Sequence, residues 1–489
     1  MYLVNRNHKF HYEMENLLRV FFPDEKITVS EQHDENENYC ITALEESKIY
    51  VEVSVRDKNL KKEQEFSLRE KKPKESDESF FERKMALMLY DMLCQITGYT
   101  PPWGILTGVR PAKLMSKLIS QYGVEGAKEY FCDELQVSRE KTDLAYTVSQ
   151  KERLIVEKSS PDSYSLYISI PFCPSRCSYC SFISHSNDKA KKLIPEYVEK
   201  LCQEINETAD IAKKLQLKLE SIYIGGGTPT ALDAVSLSRL CECVKENFDV
   251  ENVTEYTIEA GRPDSLDEDK FKVLRNSGCT RISINPQTFN DGVLKVIGRN
   301  HNSEMTVDAM NTARKHGFDN INMDLIAGLP EDTFDSFKRT LDIALSFNPE
   351  NITVHTLALK RSSTLVTCNE RTNSADVARE MLSYAQNKLW NEGYEPYYMY
   401  RQSKCLGNLE NVGWAKKDYD CLYNVYMMEE CHTVLAVGAG AVTKLKAPLS
   451  TEIERIFNYK YPYEYISGFD EIISRKKQIG EFYSKYGVI

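Results

Sequence analysis

The chain has 489 residues, 42% hydrophobic and 28% charged, with a formal net charge of −11. This is ordinary globular composition with ample length for a sizeable core and a soft expectation of about two to four domains, and the acidic balance argues against a general nucleic-acid surface, which would be basic. No apolar run approaches the roughly 20 residues of a membrane span, and the N-terminal residues lack an apolar signal core, so a reducing cytoplasm is the expected compartment.

The first 160 residues differ in character from the rest. Residues 38–56 read as two strands joined by a polar turn. Residues 57–77 are dense in charge and read as a solvated linker or helix start. Residues 78–96 read as an amphipathic helix, with Phe81, Met85, Met88, Leu89 and Met92 at helical spacing. The loop from Tyr99 to Lys113 is punctuated by Pro and Gly and reads first as a structural turn. A contact with substrate or partner through Arg110 and Lys113 is its functional alternative.

From about 165 to 360 strands and helices alternate. The strand candidates are Leu166–Ile170, Ser221–Ile224, Glu255–Glu259, Arg281–Asn285, Asn322–Ile326 and Asn351–Ala358. Helical patterns follow the first five, one of them carrying Phe334, Phe337, Leu341 and Leu345 as an apolar stripe. Such alternation implies a parallel sheet with right-handed crossovers. The expected fold is α/β: an N-terminal α+β extension over 1–160, a partial (β/α)6 TIM-like barrel over 161–365, and a C-terminal α/β region over 366–489 that covers the substrate. Reactive loops in such barrels lie at the C-terminal ends of the strands. No long internal repeat is visible.

The motifs fall at those strand ends. Cys173, Cys177 and Cys180 follow the first strand with C-x3-C-x2-C spacing. Three thiolates in one loop can hold three irons of a [4Fe–4S] cube and leave the fourth iron open for a small molecule. A structural zinc site is the rival reading, but it is normally closed by four ligands, and no second Cys/His pair at zinc spacing appears. The eleven other cysteines read as reduced thiols rather than a disulfide framework. Gly225-Gly-Gly-Thr-Pro-Thr230 follows the second strand, where glycines let a ligand approach the backbone; a tight turn is the bland alternative. Glu259 ends the third strand, Gln287 follows the fourth, Arg299 lies in Gly298-Arg-Asn-His301, and Asp324 is polar within an otherwise apolar fifth strand. Singly each is more often structural; together they describe a lined cavity.

These motifs, in this order, resemble the radical S-adenosylmethionine superfamily, and within it the oxygen-independent coproporphyrinogen III oxidase group. The stretches Tyr394–Gln402, Gly407–Gly413, Tyr423–Glu430 and Gly438–Ala441, with Thr107–Lys113, resemble the HemZ type, the coproporphyrinogen dehydrogenases. The resemblance implies that Cys173, Cys177 and Cys180 bind a [4Fe–4S] cluster and that S-adenosyl-L-methionine chelates its open iron. It implies that Tyr167, Gly226, Gly227, Thr228 and Glu259 surround that molecule, and that Gln287, Arg299 and Asp324 line a second such molecule or the substrate side. The implied reaction is oxidative decarboxylation of coproporphyrinogen III to protoporphyrinogen IX through a 5′-deoxyadenosyl radical, in porphyrin and heme biosynthesis. The implied partners are the tetrapyrrole and an electron donor of flavodoxin or ferredoxin type. Arg262, Arg299, Arg361 and Arg401 are candidates for the substrate carboxylates. The pattern departs from the oxidase branch at Phe182, where that branch has a further cysteine. Phe182 is more like the heme-chaperone branch, whose histidine motif is nonetheless missing at Leu422-Tyr-Asn-Val-Tyr426, and Val442 stands where that branch has a histidine. A heme-binding chaperone and a heme-ring-opening methyltransferase therefore stand as alternative functions.

Overall fold

The computed structural model describes the chain except residues 33, 35, 181–184, 187–191, 360–373, 403 and 487–489, with the backbone alone at 185–186. The described residues form two compact units, one of residues 1–150 and 399–410, the other of 151–398 and 411–489. No helix among them is long and apolar enough to cross a membrane.

The first unit is built on a five-stranded sheet. Its strands are β1 (Tyr2–Arg6), β2 (Thr28–Ser30), β3 (Tyr39–Glu45), β4 (Lys48–Val55) and β5 (Lys58–Glu65), in the order β2-β1-β3-β4-β5. Helices α1 (His11–Phe21) and α2 (Asp77–Thr97) supply Met14, Leu17, Leu18, Phe80, Met85, Leu89 and Leu93 to one core with Leu3, Ile49, Val51 and Val53. The α2 start is fixed by Ser76, whose hydroxyl accepts the Ser79 amide at 3.1 Å. Its end is fixed by Gly98, with φ 71°.

The charged stretch 57–77 is not a linker throughout: its first part is the edge strand β5, and its last residues lead into the start of α2. The β5 residues alternate above and below the sheet with nearly every side chain exposed, so charge costs little there. Ion pairs Lys48–Glu63 and Lys61–Glu52 tie it across to β4. A charged edge also blunts pairing with other chains.

Helices α3 (Pro111–Glu129) and α4 (Arg139–Val156) follow the Pro/Gly loop. That loop is packed around residues 399–410. Glu410 accepts Trp103 Nε1 at 2.7 Å and pairs with Lys141 at 2.8 Å, with both charged side chains buried. Arg401 lies 5.2 Å over the Trp103 ring and donates to the carbonyls of Leu106, Gly108 and Asn408.

Most of an eleven-stranded sheet belongs to the second unit. The sheet's strands are β6 (Ser163–Ile170), β9 (Lys218–Gly226), β10 (Glu255–Glu259), β11 (Arg281–Ser283), β12 (Ile321–Ala327), β13 (Asn351–Thr356), β14 (Glu395–Arg401), β15 (Glu410–Ala415), β16 (Thr433–Val437), β17 (Val442–Lys446) and β18 (Ile453–Phe457). A separate two-stranded piece pairs β7 (Phe172–Cys173) with β8 (His185–Ser186). The order is β14-β15-β13-β12-β11-β10-β9-β6-β16-β17-β18, and β6 to β13 run parallel through it. Each of the six strands expected from sequence is present, in an open partial barrel. β16 extends the series parallel to β6, while β15 closes on β13 antiparallel. Helices α5 (Ile194–Lys214), α6 (Ala234–Asn247), α7 (Glu268–Asn276), α8 (Asp291–Val296), α9 (Ser303–Lys315) and α10 (Phe334–Ser346) form the crossovers. After them come α11 (Ala375–Asn391), α12 (Leu422–Glu429), α13 (Pro462–Ser467) and α14 (Phe469–Lys485).

Strand pairing puts Leu166, Ile168, Ile222, Ile224, Tyr256, Ile258, Ile282, Ile321, Met323, Leu325, Ile352 and Val354 on one pleat face, none more than 2% exposed. The opposite face carries Ser165, Tyr167, Ser169, Ser221, Tyr223, Glu255, Thr257, Glu259, Arg281, Ser283, Asn322, Asp324, Asn351, Thr353 and His355. With a side-chain period of two, the apolar face meets the helices and the polar face lines the barrel lumen.

A buried ion pair holds the C-terminal region to this barrel. Glu204 on α5 pairs with Lys476 on α14 at 2.9 Å and accepts from Gly438 N, Asn458 Nδ2 and Tyr465 OH. Lys476 also donates to Ala436 O at 2.6 Å. Gly438 has φ 96°, and a Cβ there would come 2.5 Å from Ser169 O, so the 438–441 turn seats directly on the end of β6. Replacing Lys476 by Met leaves Glu204 buried without its cation. The expected cost is about 3–5 kcal/mol in urea unfolding; a loss under about 1 kcal/mol would show that the pair does not anchor the turn.

Candidate functional site

The chain leaves β6 at Ile170 and enters the cysteine loop. The turn is tight, with Cys180 N donating to Cys177 O at 3.1 Å. The loop is docked on residues 297–298: Ser178 N donates to Ile297 O at 3.0 Å and Ser175 Oγ to Gly298 O at 2.9 Å. Gly298 has φ 74°, and a Cβ there would come 3.2 Å from Arg176 O.

Two arginines, Arg262 buried and Arg299 half-buried, face this loop. Arg262 is held bidentately by Asp264, at 3.0 and 3.2 Å, and presents Nη2 to Ser175 Oγ at 2.7 Å and Nη1 to Cys177 Sγ at 3.3 Å. Arg299 donates to Tyr179 OH and to Asn285 O, both at 3.0 Å. His301 Nδ1 stands 3.7 Å from Asp264. Burial pushes the Cys177 thiol up, but the Arg299 and Arg262 charges outweigh it and hold the group below its ordinary value.

The glycine run passes just above the same loop. Gly227 N donates to Ile170 O and Thr228 N to Phe172 O, both at 2.7 Å. Thr228 Oγ1 lies 3.4 Å from Cys173 Sγ. A Cβ on Gly227 would meet Phe172 O at 2.5 Å and Cys173 Sγ at 3.0 Å, and one on Gly225 would meet the Glu259 carboxyl at 3.0 Å. Gly226 has φ 104°, a conformation that glycine adopts without strain.

Glu259 faces the lumen and accepts from Tyr223 OH at 2.5 Å. Burial pushes its carboxyl up to about 7, with Asp324 adding to the rise and Tyr223 and His355 opposing it. Tyr167 stacks with Tyr223 and Tyr423 at ring separations of 6.3 and 6.0 Å, and those two stack on each other at 4.4 Å. Tyr423 is placed by Glu255, whose carboxylate accepts the amides of Leu422 and Tyr423 at the start of α12. Gln287 has φ 67°. Its backbone is bonded to β12 through Asp324 O and Ile326 N, and its buried Oε1 has no hydrogen-bond partner among the described residues. Strain together with an unsatisfied amide is what a ligand-facing residue shows. Asp324 accepts from Asn322 Nδ2 at 2.7 Å, with His355 Nε2 at 3.8 Å. Burial pushes Asp324 up, but His355 leads the partners that outweigh it and hold it below its ordinary value.

The structure thus gathers the expected residues into two adjoining groups. Cys177 meets Arg262 and Arg299 around the loop, with Cys173 beside Gly227 and Thr228. Tyr167, Glu259, Gln287 and Asp324 belong to the lumen. Arg110 and Lys113 lie at the start of α3 in the first unit. Arg401 lies in the first unit, where Nε and Nη1 donate to backbone carbonyls, the guanidinium lies over Trp103 and burial pulls it down to about 10, while its buried Nη2 has no hydrogen-bond partner among the described residues. Phe182 and Arg361 lie outside the described residues. Tyr223, Asp264 and His355 also face these groups, although no motif singles them out as site residues. The signal for Tyr223 and His355 was their parity: each sits at a lumen-facing position of its strand.

The residues present fit an iron–sulfur cluster with a small ligand beside it. The thiol loop sits under two guanidinium groups, side chains are absent where the backbone approaches Cys173, and the buried Gln287 Oε1 and Arg299 Nε have no hydrogen-bond partner among the described residues. Fold and site together define a radical S-adenosylmethionine protein, and the Radical SAM superfamily model matches residues 167–344. The chain is 36% identical to the oxygen-independent coproporphyrinogen-III oxidase-like protein HemZ of Bacillus subtilis (strain 168), over 80% of this chain and 79% of that protein. It is 32% identical to the heme chaperone HemW of Haemophilus influenzae, over 62% and 76%. Its fold is similar to the solved coproporphyrinogen III oxidase HemN of Escherichia coli, with TM-score 0.51 and 24% identity over 66% of this chain and 73% of that one. The chain belongs to the oxygen-independent coproporphyrinogen-III oxidase-like family of the radical S-adenosylmethionine superfamily, whose cofactors are a [4Fe–4S] cluster and S-adenosylmethionine.

Two outcomes test this geometry. Gly227→Ala puts a methyl group against Phe172 O and Cys173 Sγ; after anaerobic reconstitution, bound iron is expected to fall from about four per chain to below one. Glu259 binds its proton more tightly folded than unfolded, so its contribution to stability falls as pH rises from about 4.5 to about 7 and is constant above. Relative to Glu259→Gln, the native protein is expected to lose on the order of 1–3 kcal/mol between pH 5 and pH 8, read from urea unfolding at each pH. Parallel stability curves would refute it.

Proposed function

We propose that this chain is a radical S-adenosylmethionine oxidoreductase that decarboxylates coproporphyrinogen III to protoporphyrinogen IX without oxygen. The observation that carries the reading is the adjacency of the cysteine loop to the glycine run, with Thr228 Oγ1 3.4 Å from Cys173 Sγ at the mouth of a polar lumen. Similarity over four-fifths of the chain to the oxidase-like protein HemZ supports the substrate. When bound, the cluster and S-adenosylmethionine supply an electron and a radical able to take a hydrogen atom from a propionate carbon.

The chain's own residues have defined parts in this. Cys173, Cys177 and Cys180 are the cluster ligands. Asp264 fixes Arg262, and Arg262 with Arg299 stabilises the thiolate form of Cys177. Tyr167, Gly226, Gly227, Thr228 and Glu259 form the cofactor's wall, with backbone groups free to approach it where side chains are absent. Gln287, Arg299 and Asp324 line the far side. Glu259 holds a proton near neutral pH, and the three stacked tyrosines pack beside it in the lumen, leaving less room for water. The substrate is a tetrapyrrole, and the electron comes from a donor of flavodoxin or ferredoxin type in the cytoplasm.

A heme-chaperone role is the second reading, favoured by the 32% identity to HemW over 76% of that protein. Anaerobic incubation of the reconstituted protein with coproporphyrinogen III, S-adenosylmethionine and a low-potential reductant separates the two. The expected product has two vinyl groups in place of two propionates, identified by mass, and Cys177→Ala forms none. Cofactor cleavage with no vinyl product would overturn the oxidase reading and leave the family intact. A stable stoichiometric heme complex without turnover would favour the chaperone.

A further inference from the structure

His355 has no part in the roles assigned above, yet it faces the same lumen. It lies at the third lumen-facing position of β13, after Asn351 and Thr353. Its Nε2 is 3.8 Å from Asp324 Oδ2, and its side chain is 25% exposed. The other Asp324 oxygen accepts from Asn322 Nδ2 at 2.7 Å, and Asn322 Oδ1 in turn accepts from Thr353 Oγ1 at 3.1 Å. Both carboxylate oxygens are therefore addressed from β12 and β13, and the group is aimed into the lumen.

Two other titratable groups face this pair. Glu259 on β10 and Tyr223 on the adjacent strand β9 bond to each other on the lumen face, and Asp324 raises both of them while His355 lowers Glu259. Two carboxylates sharing one partly dry space do not both ionise unless something favours one of them. Here the difference is built in: Asp324 has an imidazole and an amide, whereas Glu259 has a phenol. The lumen accordingly holds one fixed anion and one group that keeps its proton up to neutral pH.

We propose that His355 is a positioning residue which, by holding Asp324 as a lumen-facing anion, makes the site prefer cationic S-adenosylmethionine to its neutral thioether counterpart, S-adenosylhomocysteine. This rests on the reading of the lumen as the cofactor site. The sulfonium is the permanent charge that distinguishes the two ligands, so the ratio of their dissociation constants reports the lumen anion separately from shape. One fixed charge acting across a partly screened lumen changes such a ratio on the order of tenfold.

The test is equilibrium binding of both ligands, under anaerobic conditions at pH 7, to protein carrying the oxidised cluster, where no cleavage occurs. His355→Phe removes the imidazole nitrogens, and Asp324→Asn removes the charge. Each is expected to lower the preference for S-adenosylmethionine about tenfold, and the double variant no further. His355→Gln keeps an N–H donor and is expected to stay within about twofold of the native ratio, which also controls for misfolding. An unchanged ratio in His355→Phe, an equal weakening of both ligands, or a double variant that falls by the product of the two single effects would each overturn the proposal. Native protein that binds neither ligand would overturn the cofactor-site reading and this proposal with it. Native preference without the variant effect would overturn this proposal alone.

Discussion

The two-residue period of the parallel strands is the constraint on which the rest of the second unit depends. In β6, β9, β10, β12 and β13 an aliphatic or aromatic residue alternates with a polar one, and pairing in register carries that alternation from strand to strand. The apolar face can be buried only under helices, which places α5 to α10 outside. The polar face is then necessarily turned inward. A barrel interior of serine, threonine, asparagine, tyrosine and carboxylate side chains does not close up as a dry aliphatic core would. Such a lining suits a polar ligand. One residue of slip in any strand would exchange the two faces, so the same feature that builds the fold also fixes the site.

Electrostatics finish what the pleat begins. A buried thiolate is costly unless cations lie close to it. Arg262 and Arg299 provide them, and neither is left to position itself. Asp264 grips Arg262 from one side while Ser175 takes its other edge; the Asn285 carbonyl and Tyr179 hold Arg299. The charges come from loops after β10 and β11, three and four strands along from the cysteines in the chain, so the loop is preorganised by parts of the barrel that could not contribute if the strands ended elsewhere. That is why the motifs are useful only as a set.

Burial of paired charge recurs where the chain has to be held rather than where chemistry happens. Glu204 and Lys476 fix the 438–441 turn on β6. In the first unit Glu410, Lys141 and Trp103 do the same for the loop before α3. The sequence Thr107-Gly-Val-Arg-Pro-Ala-Lys113 has the look of a binding loop, and its Gly108 carbonyl and that of the preceding Leu106 accept from Arg401, nearly 300 residues further on. Two motifs that are separate along the chain are halves of one packing arrangement.

Such long-range pairings set the limit of what could be read in advance. The six parallel strands were legible because hydrophobic period and turn chemistry are local, and the cysteine, glycine and strand-end residues were legible because barrel topology forces them to one mouth. Strand β5 was not legible, because a charged edge strand has no apolar face to betray it. β16 was missed as a seventh parallel strand because it joins β6 from about 270 positions away. Arg262 could be named as a cation, but not that Asp264 and Cys177 would claim it rather than a substrate carboxylate. His355 was hidden for a subtler reason. A histidine in an apolar strand is usually a satisfied structural residue, and only the register that sets Thr353 opposite Asp324 shows that it belongs to the lumen's carboxylates. Residue type and spacing point to the candidate site; which partner each charge takes depends on contacts that no local pattern records.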